Sequence, residues 1–270
     1  MRKLRVAAVG DNCIDRFLSH GVARVGGNAL NVAVHFAKAG HFSSYFGAIG
    51  DDGDGAWTRE VLISNGVNVD HLEFRPEMTA YTDVGHHESG DRRFLFEEFG
   101  ASGTYFPSVA AVTALRGMDH IHFGLLNDTD RLCALDVSSP THSIDCAVNT
   151  ATTPMDVAFG SAGEGTTAED EMTRLLDMGH KLVVVTRGAK GAIASSGSQT
   201  WAAPGEKIEA LDTTGAGDTF IAYFLANWKI SGDVETALRE AVRAATETCL
   251  YFGGFPQADR GISGNYRSDV

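Results

Sequence analysis

DTTGAGDTFIAYFLANW, residues 212–228, joins a glycine-rich turn to an apolar pattern that predicts a helix over 216–229. Gly215, Ala216 and Gly217 stand at the start of that helix, where backbone N–H groups have no acceptor within the helix itself. Free N–H groups and the helix dipole together form a site for an anion. Because such sites lie at the carboxyl ends of strands in open α/β sheets, the stretch predicts an anion-binding turn in an α/β fold.

Asp218 closes this turn in the first turn of the predicted helix, where the dipole favours an ionised carboxylate. A carboxylate beside an anion site is able to accept the proton of an attacking hydroxyl, as in phosphoryl-transfer sites. The structural alternative is that Asp218 only caps the helix and that Thr213 and Thr214 are turn residues. This stretch alone leaves both interpretations open.

The rest of the chain alternates short apolar runs with helical patterns. Strands are predicted at 4–10, 43–50, 120–124, 132–138, 155–161 and 181–187, and helices at 28–39, 54–66, 168–180, 216–229 and 233–252. Continuous apolar strands separated by helices indicate a mainly parallel sheet with helices on both faces. The pattern therefore predicts the α/β class.

Residues 79–99 interrupt this alternation and predict a β-hairpin whose turn is ESGD at 88–91. A parallel sheet does not need such an insertion, and inserted hairpins often serve as lids or dimer surfaces. The alternative is an edge hairpin without a function. Since the chain shows no repeat and no linker, we expect one domain over residues 1–256, followed by a polar tail at 257–270.

Composition disfavours several classes of protein. The 270 residues carry a net charge of −13, which opposes binding to nucleic acid and to anionic membranes. No segment approaches the ~20 consecutive apolar residues that a membrane-spanning helix needs. The four cysteines lack CxxC spacing, so we expect reduced thiols in a cytoplasmic protein.

Common phosphate, metal and hydrolase motifs are missing or incomplete. There is no GxxxxGK[ST] and no GxGxxG after a strand, which argues against P-loop proteins and ordinary dinucleotide binders. GDDGDG at 50–55 departs from the calcium-loop pattern and predicts a strand-to-helix turn that Asp54 caps. His86 and His87 have no partner ligands in the sequence, and the lack of GxSxG gives a serine hydrolase little support.

Two motifs near the front of the chain predict a site for a hydroxylated small molecule. GDNCID at 10–15 follows the first predicted strand, and GGNALN at 26–31 opens the first predicted helix. Their carboxylate and amide groups offer the acceptors and donors that hydroxyl-rich ligands need. Gly26 and Gly27 allow the backbone to approach a ligand closely. The alternative is that both motifs are caps and turns.

Four motifs, in their order and spacing, resemble the ribokinase-like carbohydrate kinases, also called the phosphofructokinase-B family. They are GGNALNVAV (26–34), GDDGDG (50–55), VVTRGAKGAI (184–193) and DTTGAGDTFIAYFLANW (212–228), and the resemblance runs from about residue 5 to about residue 255. It implies a three-layer α/β/α sandwich with a mainly parallel sheet and a small β lid from about 12–25 and 79–99. In the family, such a lid covers the sugar and often builds a homodimer. Within the family, GDNCID and the GGNALNVAV variant are most similar to the fructoselysine 6-kinases.

The resemblance implies ATP-dependent transfer of the γ-phosphoryl group to a primary hydroxyl of a sugar or fructosamine, with Mg²⁺. By position, Asp218 matches the catalytic base, and Gly215, Ala216 and Gly217 match the anion hole. The substrate-binding positions are Asp11, Asn12, Asp15, Gly26, Gly27, Asn28 and Asn31, with Arg93 from the lid. The nucleotide positions are Thr186, Gly188, Gly191, Thr213 and Thr214.

The chain departs from the family pattern in two places. Ser161-Ala-Gly-Glu164 stands where the family commonly has N-x-x-E, so Glu164 is expected to contact Mg²⁺ through water. LDVSSP at 135–140 lacks the Asn and Arg that often end the corresponding strand.

Several acceptors are compatible with these motifs. If it is a fructosamine, Arg93, Glu97 and Glu98 of the lid are candidate partners for its ammonium and carboxylate, and a solvated hairpin face is the alternative. One alternative function is a kinase for another ketose, a sugar acid or a nucleoside. A second alternative is a non-catalytic sensor of sugar or nucleotide, and the presence of Asp218 argues against it.

Overall fold

The chain is described here by a computed structural model that covers residues 2–86, 92–135, 137, 140–163 and 165–262, with residues 86 and 92–94 described by their backbone. Its strands are β1 (Arg5–Val9), β2 (Cys13–Phe17), β3 (Val22–Gly26), β4 (Phe42–Phe46), β5 (Ala48–Gly50), β6 (Glu73–Arg75), β7 (Tyr81–His86), β8 (Arg92–Glu98), β9 (His120–Phe123), β10 (Thr141–Asp145), β11 (Val157–Ser161), β12 (Leu182–Thr186), β13 (Ala192–Ser195), β14 (Thr200–Ala203) and β15 (Arg260–Gly261). Its α-helices are α1 (Asn28–Lys38), α2 (Gly53–Ser64), α3 (Gly100–Gly103), α4 (Val109–Leu115), α5 (Thr129–Cys133), α6 (Ala168–Asp177), α7 (Ala216–Ser231) and α8 (Val234–Thr248).

A central sheet of eight strands lies between two layers of helices. Its order is β14-β13-β12-β11-β10-β9-β1-β4, and only β13 and β14 run antiparallel to their neighbours. Val6 and Ala8 of β1 face a core with α1, α7 and α8, whereas Ala7 and Val9 face a core with α4 and α6. This alternation buries both faces of the sheet, which confirms the predicted α/β/α sandwich.

A second sheet stands apart from the central one. Its order is β15-β3-β2-β7-β8, so it combines the segments 12–25 and 79–99 that were predicted as a lid with Arg260–Gly261, which were predicted as part of the polar tail. β7 and β8 form the predicted antiparallel hairpin, whose turn at 88–91 lies outside the described residues. Ile14, Val25 and Val84 are buried on this sheet, while Leu95 and Phe96 of β8 are exposed. We call these five strands the small sheet.

The strand predicted at 132–138 is wrong. Leu132 and Cys133 end α5, and the strand of this region is β10, which the sequence analysis missed. The reason is a buried polar network that interrupts the expected apolar pattern: Ser143 Oγ of β10 lies 2.8 Å from His120 Nε2 and 2.9 Å from His122 Nδ1. All three side chains are fully buried, and these hydrogen bonds allow polar residues to be tolerated in the sheet, although His122 Nε2 has no partner within the described residues.

Two local predictions near residue 50 also need correction. The single strand expected at 43–50 divides at Gly47 into β4 of the central sheet and β5, which pairs with β6. A Cβ at Gly47 would lie 2.7 Å from the Gly10 carbonyl oxygen, so only glycine allows this passage. Asp52, not Asp54, caps α2, since its Oδ1 accepts a 2.7 Å hydrogen bond from the Gly55 N–H.

His122 should make the fold sensitive to acid. Burial lowers the pKa of His122 from 6.5 to about 3, so the unfolded chain takes up a proton there at a higher pH than the folded chain. The contribution of His122 to the free energy of unfolding is therefore fully present above pH 6.5. It decreases as pH drops toward 3, by about 1.4 kcal/mol per pH unit for one such group. Urea unfolding of wild type and His122→Leu at several pH values measures this difference in slope. Parallel pH dependences of the two proteins would contradict it.

In the described ranges, no helix is long and apolar enough to cross a membrane. The four cysteines, Cys13, Cys133, Cys146 and Cys249, are free thiols.

Candidate active site

The start of α7 meets the start of α1 at the carboxyl end of the central sheet. Asp218, on α7, is only 9% exposed, and both of its carboxylate oxygens accept hydrogen bonds. Asn28 Nδ2 donates to Oδ1 and Asn31 Nδ2 donates to Oδ2, each at 2.7 Å. The structure thus brings together three predicted site residues, and two amide groups fix the orientation of one carboxylate.

Asp145 belongs to the same cluster and was missed by the sequence analysis. It ends β10, it is 7% exposed, and its Oδ2 accepts a second hydrogen bond from Asn28 Nδ2 at 2.8 Å. One amide group therefore bridges the carboxylates of Asp145 and Asp218. The available signal was an acidic residue at the end of THSID, but it needed the correct strand assignment to be recognised.

Burial dominates the ionisation of this cluster. Removal from water raises the pKa of Asp218 well above 3.8, and the nearby charges of Asp145 and Asp11 raise it further, against the hydrogen bonds from the two asparagines. The helix dipole favours ionisation of the Asp218 carboxylate, whereas burial opposes it. A carboxylate with a raised pKa is a stronger base once it is deprotonated.

The glycine-rich turn has the geometry of an anion site. Gly215 is in the left-handed region at φ 70°, and Thr219 N–H donates to its carbonyl at 2.9 Å to close the first turn of α7. Within the described residues, the N–H groups of Gly217 and Asp218 have no acceptor, so they are available to an anion. A Cβ added at Gly217 would meet no atom within 4 Å, which leaves open space beside these donors.

Residues 253–254 support the turn from behind. A Cβ at Gly215 would lie 2.5 Å from Gly254 Cα, so the two backbones are in direct contact. Asp212 Oδ2 accepts a hydrogen bond from Gly253 N–H at 2.8 Å, and its Oδ1 accepts one from the Thr214 hydroxyl at 2.6 Å. The side chain of Thr214 is therefore committed to Asp212.

His35 adds a second support. It is 3% exposed on α1, and its Nε2 lies 2.8 Å from both the Gly254 carbonyl oxygen and Thr219 Oγ1. A carbonyl oxygen only accepts, so Nε2 carries the proton. The imidazole thereby joins α1, α7 and the 253–254 segment, the three pieces of chain around Asp218.

A cavity of about 570 Å³ opens beside the glycine-rich turn. It gathers four of the five predicted nucleotide positions, Thr186, Gly188, Gly191 and Thr213, together with Ala216 and Gly217. Its remaining wall comes from apolar residues of α7 and α8 and from the segment 205–210, which the sequence analysis did not assign. Prominent among them are Phe220, Val242, Ala245, Ile208 and Cys249.

The residues of the two motifs near the front of the chain have different roles: some hold the backbone in place and others lie at the site. Asp11 accepts hydrogen bonds from the N–H groups of Asn28 and Ala29 at 2.8 and 3.0 Å, so it caps α1. Asn12 is 2% exposed and donates to the Tyr45 hydroxyl and the Ala48 carbonyl oxygen. Both side chains hold the backbone beneath the site, which was the structural alternative for this motif.

Asp15 stands on β2 of the small sheet and is 8% exposed. Its carboxylate lies against Gly26, where any Cβ would clash with it, and its Oδ1 accepts a hydrogen bond from the Cys13 thiol at 3.2 Å. Gly27, at φ 111°, passes directly over the Asn12 backbone. The two glycines therefore allow the small sheet to approach the start of α1.

Some predicted residues cannot be placed. The side chain of Arg93, residue His87 and the candidate metal contact Glu164 lie outside the described residues. Among the residues that are described, no group of three or more His, Cys, Asp or Glu side chains could hold a metal ion. Ser161, the departure from the family pattern, lines the cavity and accepts a 3.2 Å hydrogen bond from Thr186 Oγ1.

Comparison with known proteins gives consistent matches over almost the whole chain. Residues 17–132 and 155–258 match the pfkB family of carbohydrate kinases. The chain is 33% identical over 266 residues to fructosamine kinase FrlD of Bacillus subtilis (strain 168), covering 93% of each protein. It is 31% identical over 261 residues to fructoselysine 6-kinase of Escherichia coli (strain K12), covering 93% of this chain and 99% of that relative. The crystal structure of ribokinase from Thermotoga maritima has the same fold, with a TM-score of 0.80 at 21% identity, covering 93% of this chain and 94% of the ribokinase.

Proposed function

Because the chain belongs to the pfkB family of carbohydrate kinases, we propose that it transfers the γ-phosphoryl group of ATP to a primary hydroxyl of a fructosamine, as a fructoselysine 6-kinase. One observation carries this proposal: Asp218, held by Asn28 and Asn31, stands beside two free N–H groups at the mouth of a large cavity. That arrangement combines a base with an anion site, which phosphoryl transfer requires. The named relatives support fructosamine as the acceptor.

The proposed reaction is a direct displacement at the γ-phosphorus. The primary hydroxyl of the sugar gives its proton to the Asp218 carboxylate while its oxygen bonds to phosphorus. The bond from phosphorus to the β,γ-bridging oxygen breaks, and ADP leaves with that electron pair. The N–H groups of Gly217 and Asp218 donate to the charged oxygens of the transferred group. Asn28 and Asn31 keep the carboxylate aimed at the hydroxyl.

The nucleotide is assigned to the 570 Å³ cavity. Its apolar wall from α7 and α8 suits a purine base, and its glycine-rich edge adjoins the anion site. Mg²⁺ usually binds one or two carboxylates together with phosphate oxygens and water, so it needs no preformed cluster of three ligands. Mg²⁺ would therefore enter the site as part of the nucleotide substrate.

The small sheet is proposed as a lid over the sugar. It carries Asp15 to the start of α1, where the carboxylate is placed to accept hydrogen bonds from sugar hydroxyls. Closure over the sugar would keep water from competing for the γ-phosphoryl group. The exposed side chains of Leu95 and Phe96 support the predicted homodimer through this sheet.

A substrate panel tests the proposed acceptor. Fructoselysine, fructose, ribose and a nucleoside are compared in a coupled assay of ADP release. We expect the highest kcat/KM for fructoselysine. A higher value for free fructose or ribose would favour another ketose or pentose kinase, and ATP binding without turnover on any acceptor would favour the sensor.

The pH dependence tests the carboxylate cluster. Asp218 acts deprotonated, so kcat/KM should fall as pH drops through its raised pKa, above the range of an ordinary aspartate. In Asp145→Asn the neighbouring negative charge is gone and the hydrogen bond to Asn28 is retained. The pKa of Asp218 then decreases, and the acid limb of the kcat/KM profile moves to lower pH.

The matched control for this measurement is Asp177→Asn, at the exposed end of α6 and outside the site. It removes the same charge and should leave the acid limb where it is in wild type. The charge interaction between Asp145 and Asp218 would be contradicted if the acid limb of the kcat/KM profile did not move in Asp145→Asn, or if it moved equally in both variants.

A further inference from the structure

A second cavity, of about 440 Å³, lies where the chain leaves β9 and β10. It is lined by residues 125–131 and 148–151 and shares no residue with the cavity assigned to the nucleotide. Neither the sequence motifs nor the proposed reaction uses it. Because both loops follow the carboxyl ends of parallel strands, the cavity is on the same edge of the sheet as Asp218.

Two charges of opposite sign line this cavity. Asp128 and Arg131 form an ion pair at 3.8 Å, and their side chains are 64% and 65% exposed. Across the residues that the structure describes, neither the Asp128 carboxylate nor the Arg131 guanidinium makes a hydrogen bond. Asp130, on the same wall, differs, because its carboxylate accepts hydrogen bonds from the N–H and hydroxyl groups of Thr152 and Thr153.

The position of the arginine is held by an aromatic ring. The Arg131 guanidinium carbon lies 4.2 Å from the centre of the Phe106 ring, a cation–π contact. Within the described residues the guanidinium N–H groups donate no hydrogen bond, so they are available to a ligand. A guanidinium with free N–H groups forms bidentate hydrogen bonds with a carboxylate.

The wall of this cavity is also the wall of the transfer site. Asn149, which lines the cavity, is 5% exposed and donates from Nδ2 to the Gly124 carbonyl oxygen at 2.6 Å. On the other side of this strand end, a Cβ at Gly124 would lie 2.5 Å from Asn28 Oδ1. Asn28 in turn donates to Asp218. Gly124 therefore lies between Asn149, which lines the cavity, and Asn28 of the transfer site.

We propose that this cavity binds the amino-acid end of a fructosamine, with the α-ammonium on Asp128 and the α-carboxylate on Arg131. The inference rests on the proposed function, because only an acceptor that carries an amino acid has this end. A zwitterion presents one charge of each sign, and a site with one carboxylate and one guanidinium matches both. Free sugars have neither charge, so the pair would select amino-acid conjugates over sugars.

The test compares two substrates that differ only in this end: ε-fructoselysine, and the fructosamine of hexylamine, which lacks the α-ammonium and the α-carboxylate. Arg131→Gln should raise KM for fructoselysine by about tenfold with little change in kcat, and should leave KM for the hexylamine conjugate unchanged. Asp128→Asn should act in the same way. Asparagine tolerates the left-handed backbone of residue 128, where φ is 58°, so this variant keeps the loop conformation.

Arg59→Gln, on the exposed side of α2, is the matched control and should alter neither KM. Equal KM changes for both substrates, or none, would overturn the assignment, and a KM increase in Arg93→Gln alone would move the amino-acid site to the lid. These results differ from failure of the proposed function, in which wild type would phosphorylate neither fructosamine.

Discussion

Asp218→Asn is expected to lower kcat by about 10²–10⁴-fold, the usual contribution of a positioned general base. An amide does not accept the proton of the sugar hydroxyl, while its size and shape are those of the carboxylate. The variant should fold, because Asn28 or Asn31 is able to turn its amide and present Oδ1 to the new NH₂ group. Both Oδ1 atoms are buried without a hydrogen-bond partner within the described residues.

The measurement combines steady-state turnover with nucleotide binding and thermal unfolding. ATP affinity and the unfolding temperature should stay close to wild type, so that the loss is confined to the chemical step. Near-normal kcat in this variant would refute the assigned base. A large loss of ATP affinity or of stability would instead show that Asp218 is mainly a structural cap.

Gly215→Ala should be the most damaging single substitution in the turn. Its backbone is left-handed, which costs roughly 1–2 kcal/mol for a residue with a Cβ. The new Cβ would also lie 2.5 Å from Gly254 Cα, so the turn and residues 253–254 must separate. We expect a lower unfolding temperature and a loss of kcat on the scale of a lost anion-site donor, about 10²–10³-fold.

Gly217→Ala, two residues along, is the matched control. A Cβ there meets no atom within 4 Å and the residue is helical, so alanine should keep or slightly increase stability. The same Cβ faces the cavity assigned to the nucleotide, so ATP affinity should fall. Thermal unfolding and ATP titration of both variants separate the two effects. A stable and active Gly215→Ala would contradict the contact with Gly254.

The parts of the fold that sequence could predict are those with a local signal. β1, α1, α6 and α7 begin and end close to their predicted bounds, because apolar periodicity and glycines such as Gly40 and Gly232 mark them. The motifs that carry Asn28, Asn31 and Asp218 were also recognised from the sequence. Each motif is short and contains its own turn residues.

The failures have a common physical cause, which is pairing between distant segments. β10 was missed because its buried Ser143 satisfies two histidines of β9, and such partners are not visible in a single strand. The loss of β10 concealed Asp145, whose charge adds to burial in raising the pKa of Asp218. Asp52 rather than Asp54 caps α2 for a similar reason: Asp52 also accepts hydrogen bonds from Thr79, 27 residues away.

The bond between Asn28 and Asp218 spans 190 positions of the chain. During synthesis at about 5–20 residues per second, Asp218 is therefore added to the chain on the order of ten seconds or more after Asn28. Residues 253–254, which support the turn, follow only at the end of the domain. A nascent chain therefore cannot assemble the proposed base and anion site before nearly all of this domain has been translated.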